Sequence, residues 1–279
     1  MKIVKTKESL HQQLQPYRNQ RLRIAFVPTM GALHQGHIAL VNHAKTLADV
    51  VVCSIFVNPT QFNDPADLEK YPRPIEKDIA LLEDVRCDVL FQPEVDEMYQ
   101  PGEQWHMELG GLDSVLEGLH RPGHFQGVTQ IVKKLFDAVQ PDVACFGQKD
   151  FQQYKIIEYM VIQLALPVAL KLCPTVREPD GLAMSSRNVR LTPQGREHAL
   201  ALYRALLQTK ADAVHTDLQT LRQNAIDMLE ASPGVRLEYF AIYDADTFED
   251  ATGAASSRSL VALVAAWVDG VRLIDNMLL

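Results

Sequence analysis

The chain has 279 residues, 47% hydrophobic and 22% charged. That is the make-up of a globular protein with one large or two modest domains, far from a disordered chain. Its formal net charge of −8 argues against a broad basic face for nucleic-acid backbone, although a local cluster of donors can hold a nucleotide in an acidic protein.

In chain order, residues 23–27 (RIAFV) read as a buried strand, and residues 36–48 follow with apolar side chains at helical spacing. Residues 50–57 (VVVCSIFV) form an unbroken β-branched strand. A helix is expected over 74–82 with proline near its first turn, then a short strand at 88–91. A helix at 126–139, a strand at 142–146, a helix at 151–164 and a strand at 168–172 complete the series. Continuous apolar strands between amphipathic helices indicate an α/β, Rossmann-like parallel sheet covered by helices on both faces. After Arg177 the texture changes. Residues 177–190 are polar and without apolar period, a linker or lid. Helical patterns at 193–207 and 217–229 and strands at 236–243 and 260–268 suggest a smaller C-terminal α+β domain with an antiparallel sheet. The expected division is 1–175 and 176–279.

The cysteines, Cys53, Cys87, Cys145 and Cys173, show no C-x-x-C spacing. They read as buried free thiols in a reducing compartment, not as a zinc or dithiol site. The start MKIVKTKESL breaks any signal-peptide stretch with charge, and no apolar run approaches the ~20 residues of a spanning helix. A cytoplasmic protein without membrane or nucleic-acid partners is expected.

The sharpest motif is VPTMGALHQGHIAL, residues 27–40. A buried strand ends in a glycine-containing turn, and His34-Gln35-Gly36-His37 opens a helix. On an open parallel sheet, ligands bind beyond the carboxyl ends of the strands, near helix N-termini. Gly31 and Gly36 let a ligand approach the backbone, and histidines at i and i+3 can both donate to phosphate oxygens. Alone, the pair reads more readily as cap and surface histidines; the order of strand, turn and helix favours the phosphate reading. Zinc is disfavoured because the glutamate of H-E-x-x-H is missing. FGQKD (146–150) marks a second strand end, where Lys149 can bring positive charge to a phosphate. Gln61 in NPTQF sits just beyond the second strand and Gln153 is the second glutamine of FQQ; taken alone, each reads as a surface-loop polar group that can both donate and accept.

PTMGALHQGH (28–37), FVNPTQF (56–62), YPR (71–73), RPGHF (121–125), FGQKDFQQ (146–153), SSRN (185–188) and RLIDN (272–276) occur in this order. Together they resemble the pantothenate synthetase, or pantoate–β-alanine ligase, family of the nucleotidylyl-transferase superfamily, over nearly the whole chain. The resemblance implies an ATP-dependent condensation of pantoate with β-alanine through a pantoyl adenylate, releasing AMP and pyrophosphate. It implies ATP contacts at Pro28, Thr29, Met30, Gly31, Ala32, Leu33, His34, Gln35, Gly36 and His37. It implies further ATP contacts at Gly147, Gln148, Lys149, Asp150, Val176, Met184, Ser185, Ser186 and Arg187. Pantoate contacts are implied at Met30, Gln61 and Gln153, with β-alanine also at Gln61. The implied catalytic residues are His37, His34 and Lys149.

Magnesium accompanies ATP in the family, and Asp78, after YPR, is the candidate ligand. Lys77 and Gln126 depart from the family pattern, which has an acidic residue and an arginine there. A homodimer is implied, and the apolar run 50–57 suits a position near an interface. A nucleotidylyltransferase that keeps the nucleotide on its product, or an idle ATP-sensing module, are the rival readings. The glutamines argue against the first and the intact His34, His37 and Lys149 against the second.

Overall fold

The computed structural model describes residues 1–63, 65–253 and 259–279. The chain forms two compact units. The first comprises Met1–Gly147 and Gln152–Pro174, the second Gln148–Phe151 and Thr175–Leu279. Along the chain to Cys173 run β1 (Lys2–Val4), α1 (Lys7–Asn19), β2 (Ile24–Thr29), α2 (Gln35–Lys45), β3 (Val50–Ile55), α3 (Pro65–Lys70) and α4 (Ile75–Asp84). They are followed by β4 (Val89–Phe91), α5 (Val95–Met98), α6 (Glu117–His120), α7 (His124–Val139), β5 (Val143–Gly147), α8 (Phe151–Gln163) and β6 (Ala169–Cys173).

The six strands of the first unit form one sheet in the order β1-β4-β3-β2-β5-β6, and every pair is parallel. The unbroken apolar runs follow from this placement. Side chains alternate between faces along a strand, and both faces here are covered. Ile24, Phe26, Val50, Val52, Val89 and Phe91 join α1, α7 and α8 in one core. Ala25, Val27, Val51, Cys53 and Leu90 join α2 and α4 in the other. From β2 the chain progresses one way through β3 and β4, then returns to place β5 on the other side of β2. That reversal is the topological switch point where α/β sheets open a ligand crevice at the carboxyl ends of their strands.

Three expectations need revision here. Strand β3 lies between β4 and β2 and is buried at all six positions, so its apolarity serves the sheet interior and not an interface. Helix α1 has no counterpart among the expected elements: Pro16 and a glutamine-rich face mask it, yet Thr6 caps it through Ser9, and Leu10 and Leu14 are fully buried. The stretch 177–190 is no loose linker. It belongs to the second unit, where Arg177 bridges Ala183 and a 3-10 turn follows at Ser186–Arg190.

In the second unit, α9 (Pro193–Asp212) and α10 (Leu218–Glu230) pack on β7 (Val235–Asp244), β8 (Leu260–Val268) and β9 (Val271–Leu278). The sheet is antiparallel in the order β7-β8-β9. Its core joins Leu202, Leu206, Leu221 and Leu229 of the helices to Phe240, Ile242 and Val264 of the sheet. No helix among the described residues is long and apolar enough to cross a membrane.

Candidate active site

The turn after β2 is built before any ligand arrives. Gly31 and Ala32 both take left-handed backbone angles, φ 81° and 49°. The turn is closed from within: Asp78, in the first turn of α4, accepts Ala32 N–H at 2.8 Å on one oxygen and Leu33 N–H at 2.7 Å on the other. Gly31 N–H and the Thr29 hydroxyl are also engaged, the first with Thr29 Oγ1 and the second with Ser54 O. The N–H groups of Ala32 and Leu33 therefore serve the turn itself. A Cβ at Gly31 would come within 3.0 Å of both Asp78 Oδ2 and Ile55 Cγ2, so the sequence needs glycine there for space as well as for φ.

What this turn presents is the histidine pair. His34 is the N-cap of α2, extended at φ −138°, and its Nδ1 accepts Gly36 N–H at 3.2 Å. His37 lies one turn on, and its Nδ1 accepts His34 N–H at 3.3 Å. The two form a capping box from histidines in place of serine and glutamate. The ring centroids are 4.1 Å apart. Because both Nδ1 atoms accept, the neutral rings carry their protons on Nε2. One nitrogen of each ring thus holds the helix start, and the other carries the ring N–H beside the helix N-terminus.

A second cluster follows β3. Gln61 sits in the 3-10 turn Pro59–Gln61 and is 9% exposed. Its Oε1 accepts Asn58 Nδ2 at 3.0 Å, and its Nε2 lies 3.1 Å from Met30 Sδ, so the two expected pantoate residues of the first half meet. Asn58 also donates to Gly127 O and accepts from Thr60 and from Tyr99, the last at 2.5 Å. Burial pushes the Tyr99 hydroxyl up to about 12, so it remains a donor. The RPGHF motif supports the same turn. His124 is buried, and its Nδ1 stands 2.8 Å from the Gln61 carbonyl. A carbonyl only accepts, so that nitrogen carries the proton, and Nε2 accepts Arg121 at 3.2 Å. Of the FQQ pair, Gln152 is buried and structural, bonding Leu112 O, Val115 O and Glu117 N. Gln153 is half-buried.

Gln126, where the family pattern has arginine, bonds both backbone groups of Met107 at 3.0 and 2.9 Å. It holds a loop. Asn58, Tyr99 and His124 are contributors beyond the residues that sequence reading singles out. Two stand inside quoted motifs, and Tyr99 carries no local signal.

In the second unit, the turn Gln148–Asp150 carries Lys149, whose side chain is 19% exposed with Nζ 4.0 Å from Asp150 Oδ1. Val176 and Met184 are brought together by a 3.0 Å backbone bond. Ser185 caps the turn that holds Ser186 and Arg187 by accepting Arg187 N–H. Glu178 and Asp180 are fastened to Arg196. Arg177 grips buried Asp275 with two bonds of 2.6 and 3.0 Å and lies over the Tyr203 ring. Burial pushes the Asp275 carboxyl up, and Arg177 pulls against that.

The donor set does not fit a protein-held magnesium. Asp78 is 1% exposed and both its oxygens are engaged; burial pushes its carboxyl up despite those two bonds. It is a strut for the 31–33 turn and not a ligand. Among the described residues no group of three or more His, Cys, Asp or Glu is arranged to hold a metal ion.

The family model for pantoate-beta-alanine ligase matches residues 2–278. The chain belongs to the pantoate–β-alanine ligase family. It is 45% identical over 277 residues to the pantothenate synthetase of Bacteroides thetaiotaomicron, covering 99% of this chain and 98% of that one. The crystal structure of the pantothenate synthetase of Thermus thermophilus superposes with a TM-score of 0.92 at 42% identity, covering 99% of each chain. The ligase of Francisella tularensis, solved with β-γ ATP and β-alanine, gives a TM-score of 0.79 at 35% identity over 100% of this chain and 97% of that one. The fold of the family, a parallel six-stranded sheet with a small antiparallel sheet after it, is therefore the fold of this ligase.

Proposed function

We propose that this ligase condenses pantoate with β-alanine at the expense of ATP, through a pantoyl adenylate. A free carboxylate does not acylate an amine at neutral pH, because oxide is too poor a leaving group. In the first step a pantoate carboxylate oxygen bonds the α-phosphorus of ATP, and the bond from that phosphorus to the bridging oxygen breaks, releasing pyrophosphate. In the second, the β-alanine nitrogen bonds the acyl carbon, the carbon–oxygen bond to AMP breaks, and the amine loses a proton.

The observation that carries this reading is the histidine pair. Two Nε2–H donors at the N-terminus of α2, oriented by Nδ1 bonds to the backbone, are suited to the charge that grows on departing pyrophosphate. His37 is assigned as the principal leaving-group donor, with His34 beside it and Lys149 directed to the α-phosphate. Gln61 and Gln153 are assigned to pantoate, with Met30 as a wall and Gln61 also towards β-alanine. Val176, Met184, Ser185, Ser186 and Arg187 are assigned to the nucleotide, and the second unit to a lid. Catalysis on this reading is positioning plus charge stabilisation, with no covalent enzyme intermediate.

Magnesium enters as the counter-ion of the triphosphate, a mode in which it keeps several waters and leans on substrate phosphates. A homodimer is the expected form, as the resemblance implies, and light scattering checks its mass; the charged start and the buried thiols support a cytoplasmic setting. The decisive experiment is pantoate-dependent exchange of labelled pyrophosphate into ATP with β-alanine omitted. Exchange is expected. An absolute requirement for β-alanine overturns the two-step scheme. His37→Ala is expected to lose on the order of 10²–10³ in rate.

A further inference from the structure

The closing RLIDN motif has no part in the reading above, yet it holds the most unusual polar pair of the second unit. Asp275 and Asn276 are consecutive residues of β9 and both are buried, Asn276 at 1% exposure. Neighbours on a strand point to opposite faces, so β9 buries a polar side chain on each side. Such groups are costly unless bonded. Asp275 is held by the Arg177 fork. Asn276 reaches 127 and 128 residues back along the chain: its Nδ2 donates to Lys149 O at 2.9 Å and to Gln148 O at 2.8 Å, and its Oδ1 accepts Gln148 Nε2 at 3.1 Å.

We propose that Asn276 is a positioning residue for Lys149. Both N–H bonds of its amide are spent on consecutive carbonyls of the turn that carries the lysine, so it has no donor left for a substrate and is not a catalytic residue. The turn is short and does not continue β5: Gln148–Phe151 clusters with the C-terminal unit while Gly147 and Gln152 belong to the first. Its main chain is pinned at two successive carbonyls by one side chain. That fixes the point from which the lysine side chain extends. In sequence FGQKD and RLIDN stand as separate motifs; the amide joins them into one device. The neighbouring Asp275 fastens Arg177, which also bonds Asn276 O and Gly181 O. Two adjacent residues of β9 therefore organise both the lysine turn and the start of the loop that leads to Met184–Arg187.

This inference rests on the assignment of Lys149 to the adenylation step, and its test separates the two. Pantoate-dependent ATP–pyrophosphate exchange is measured for Asn276→Asp, Asn276→Ala, Lys149→Ala and the two double variants, with melting followed for each. Asn276→Asp keeps the volume and the acceptor but turns an oxygen towards two carbonyls. A misplacement of about 1 Å can cost 10²-fold, so a fall of about 10- to 100-fold in kcat is expected for both Asn276 variants, with the KM for pantoate within two-fold of wild type. In the Lys149→Ala background the same substitutions are expected to cost less than three-fold, since the group they act through is gone. Three results overturn the proposal while the lysine assignment stands: wild-type kcat in the Asn276 variants, full additivity with Lys149→Ala, or failure of both Asn276 variants to fold. Wild-type exchange by Lys149→Ala itself overturns the lysine assignment, and the proposal with it.

Discussion

Asp78 offers the clearest test of the site's construction, because two chemistries compete for it. As a strut it satisfies two buried N–H groups on a turn with two left-handed residues. Asp78→Ala leaves both donors without acceptors. A buried donor left bare costs about 1–3 kcal/mol, so two cost about 2–6 kcal/mol, reduced by the relief of a desolvated carboxylate. Asp78→Asn keeps one acceptor and presents an NH₂ to the other donor, for a loss of about 1–3 kcal/mol. At about 2–4 °C per kcal/mol for a domain of 150–250 residues, about 2–6 kcal/mol corresponds to about 4–24 °C, and the alanine variant's first unit is expected to melt early by an amount in the lower part of that range.

The pH dependence has a definite sign. Burial raises the carboxyl of Asp78 above its usual range, so between the ordinary and the raised value the native state binds more protons than the unfolded one. The contribution of Asp78 is then fully present below its unfolded pKa and is lost as pH rises through the folded one. The stability deficit of Asp78→Asn is therefore expected to be larger at pH 4 than at pH 7. Urea melts at both values, with magnesium titrations of residual turnover, decide the matter. Wild-type stability in Asp78→Asn with a ten-fold or greater rise in magnesium requirement would refute the strut and restore a metal ligand.

Gly127→Ala would drive a Cβ onto the Thr60 carbonyl, which is backbone and cannot swing away. A loss of about 1–3 kcal/mol is expected, with a larger rise in KM for pantoate than for ATP; equal rises would unlink the Pro59–Gln61 turn from pantoate. Arg177→Met strands buried Asp275 and is expected to cost about 3–5 kcal/mol. Because the Asp275 carboxyl is already raised by burial and loses its opposing cation, the variant's stability should fall as pH rises from 4 to 8, and a flat profile in urea melts would reject this. The four buried thiols should resist alkylation in the native protein at pH 8, Cys87 being pushed up to about 11 and Cys53 and Cys145 also upward. Labelling of any of the four in the native protein, read by mass mapping, would contradict the packing.

Local chemistry made much of the parallel sheet legible. The runs RIAFV and VVVCSIFV are β-branched or apolar on both faces, and only a strand covered on both sides has a use for that. The histidine motif was equally legible, because strand end, turn and helix start lie within fourteen consecutive residues. What the sequence by itself determined is thus the set of interactions that close within a turn or a strand: the capping histidines, the α/β alternation, the change of texture after Arg177.

Tertiary structure alone decided the rest, because the partners lie far apart along the chain. Asp78 reads the same from sequence whether it meets magnesium or the N–H groups of Ala32 and Leu33, 46 and 45 residues away. The burial of Val50–Ile55 in the sheet interior depended on β4 and β2 lying on either side of it. The turn carrying Lys149 follows β5 directly in sequence, yet it is fastened by an asparagine 127 residues later. A buried polar group must be satisfied by whichever segment the fold delivers to it, and no local pattern records which segment that is.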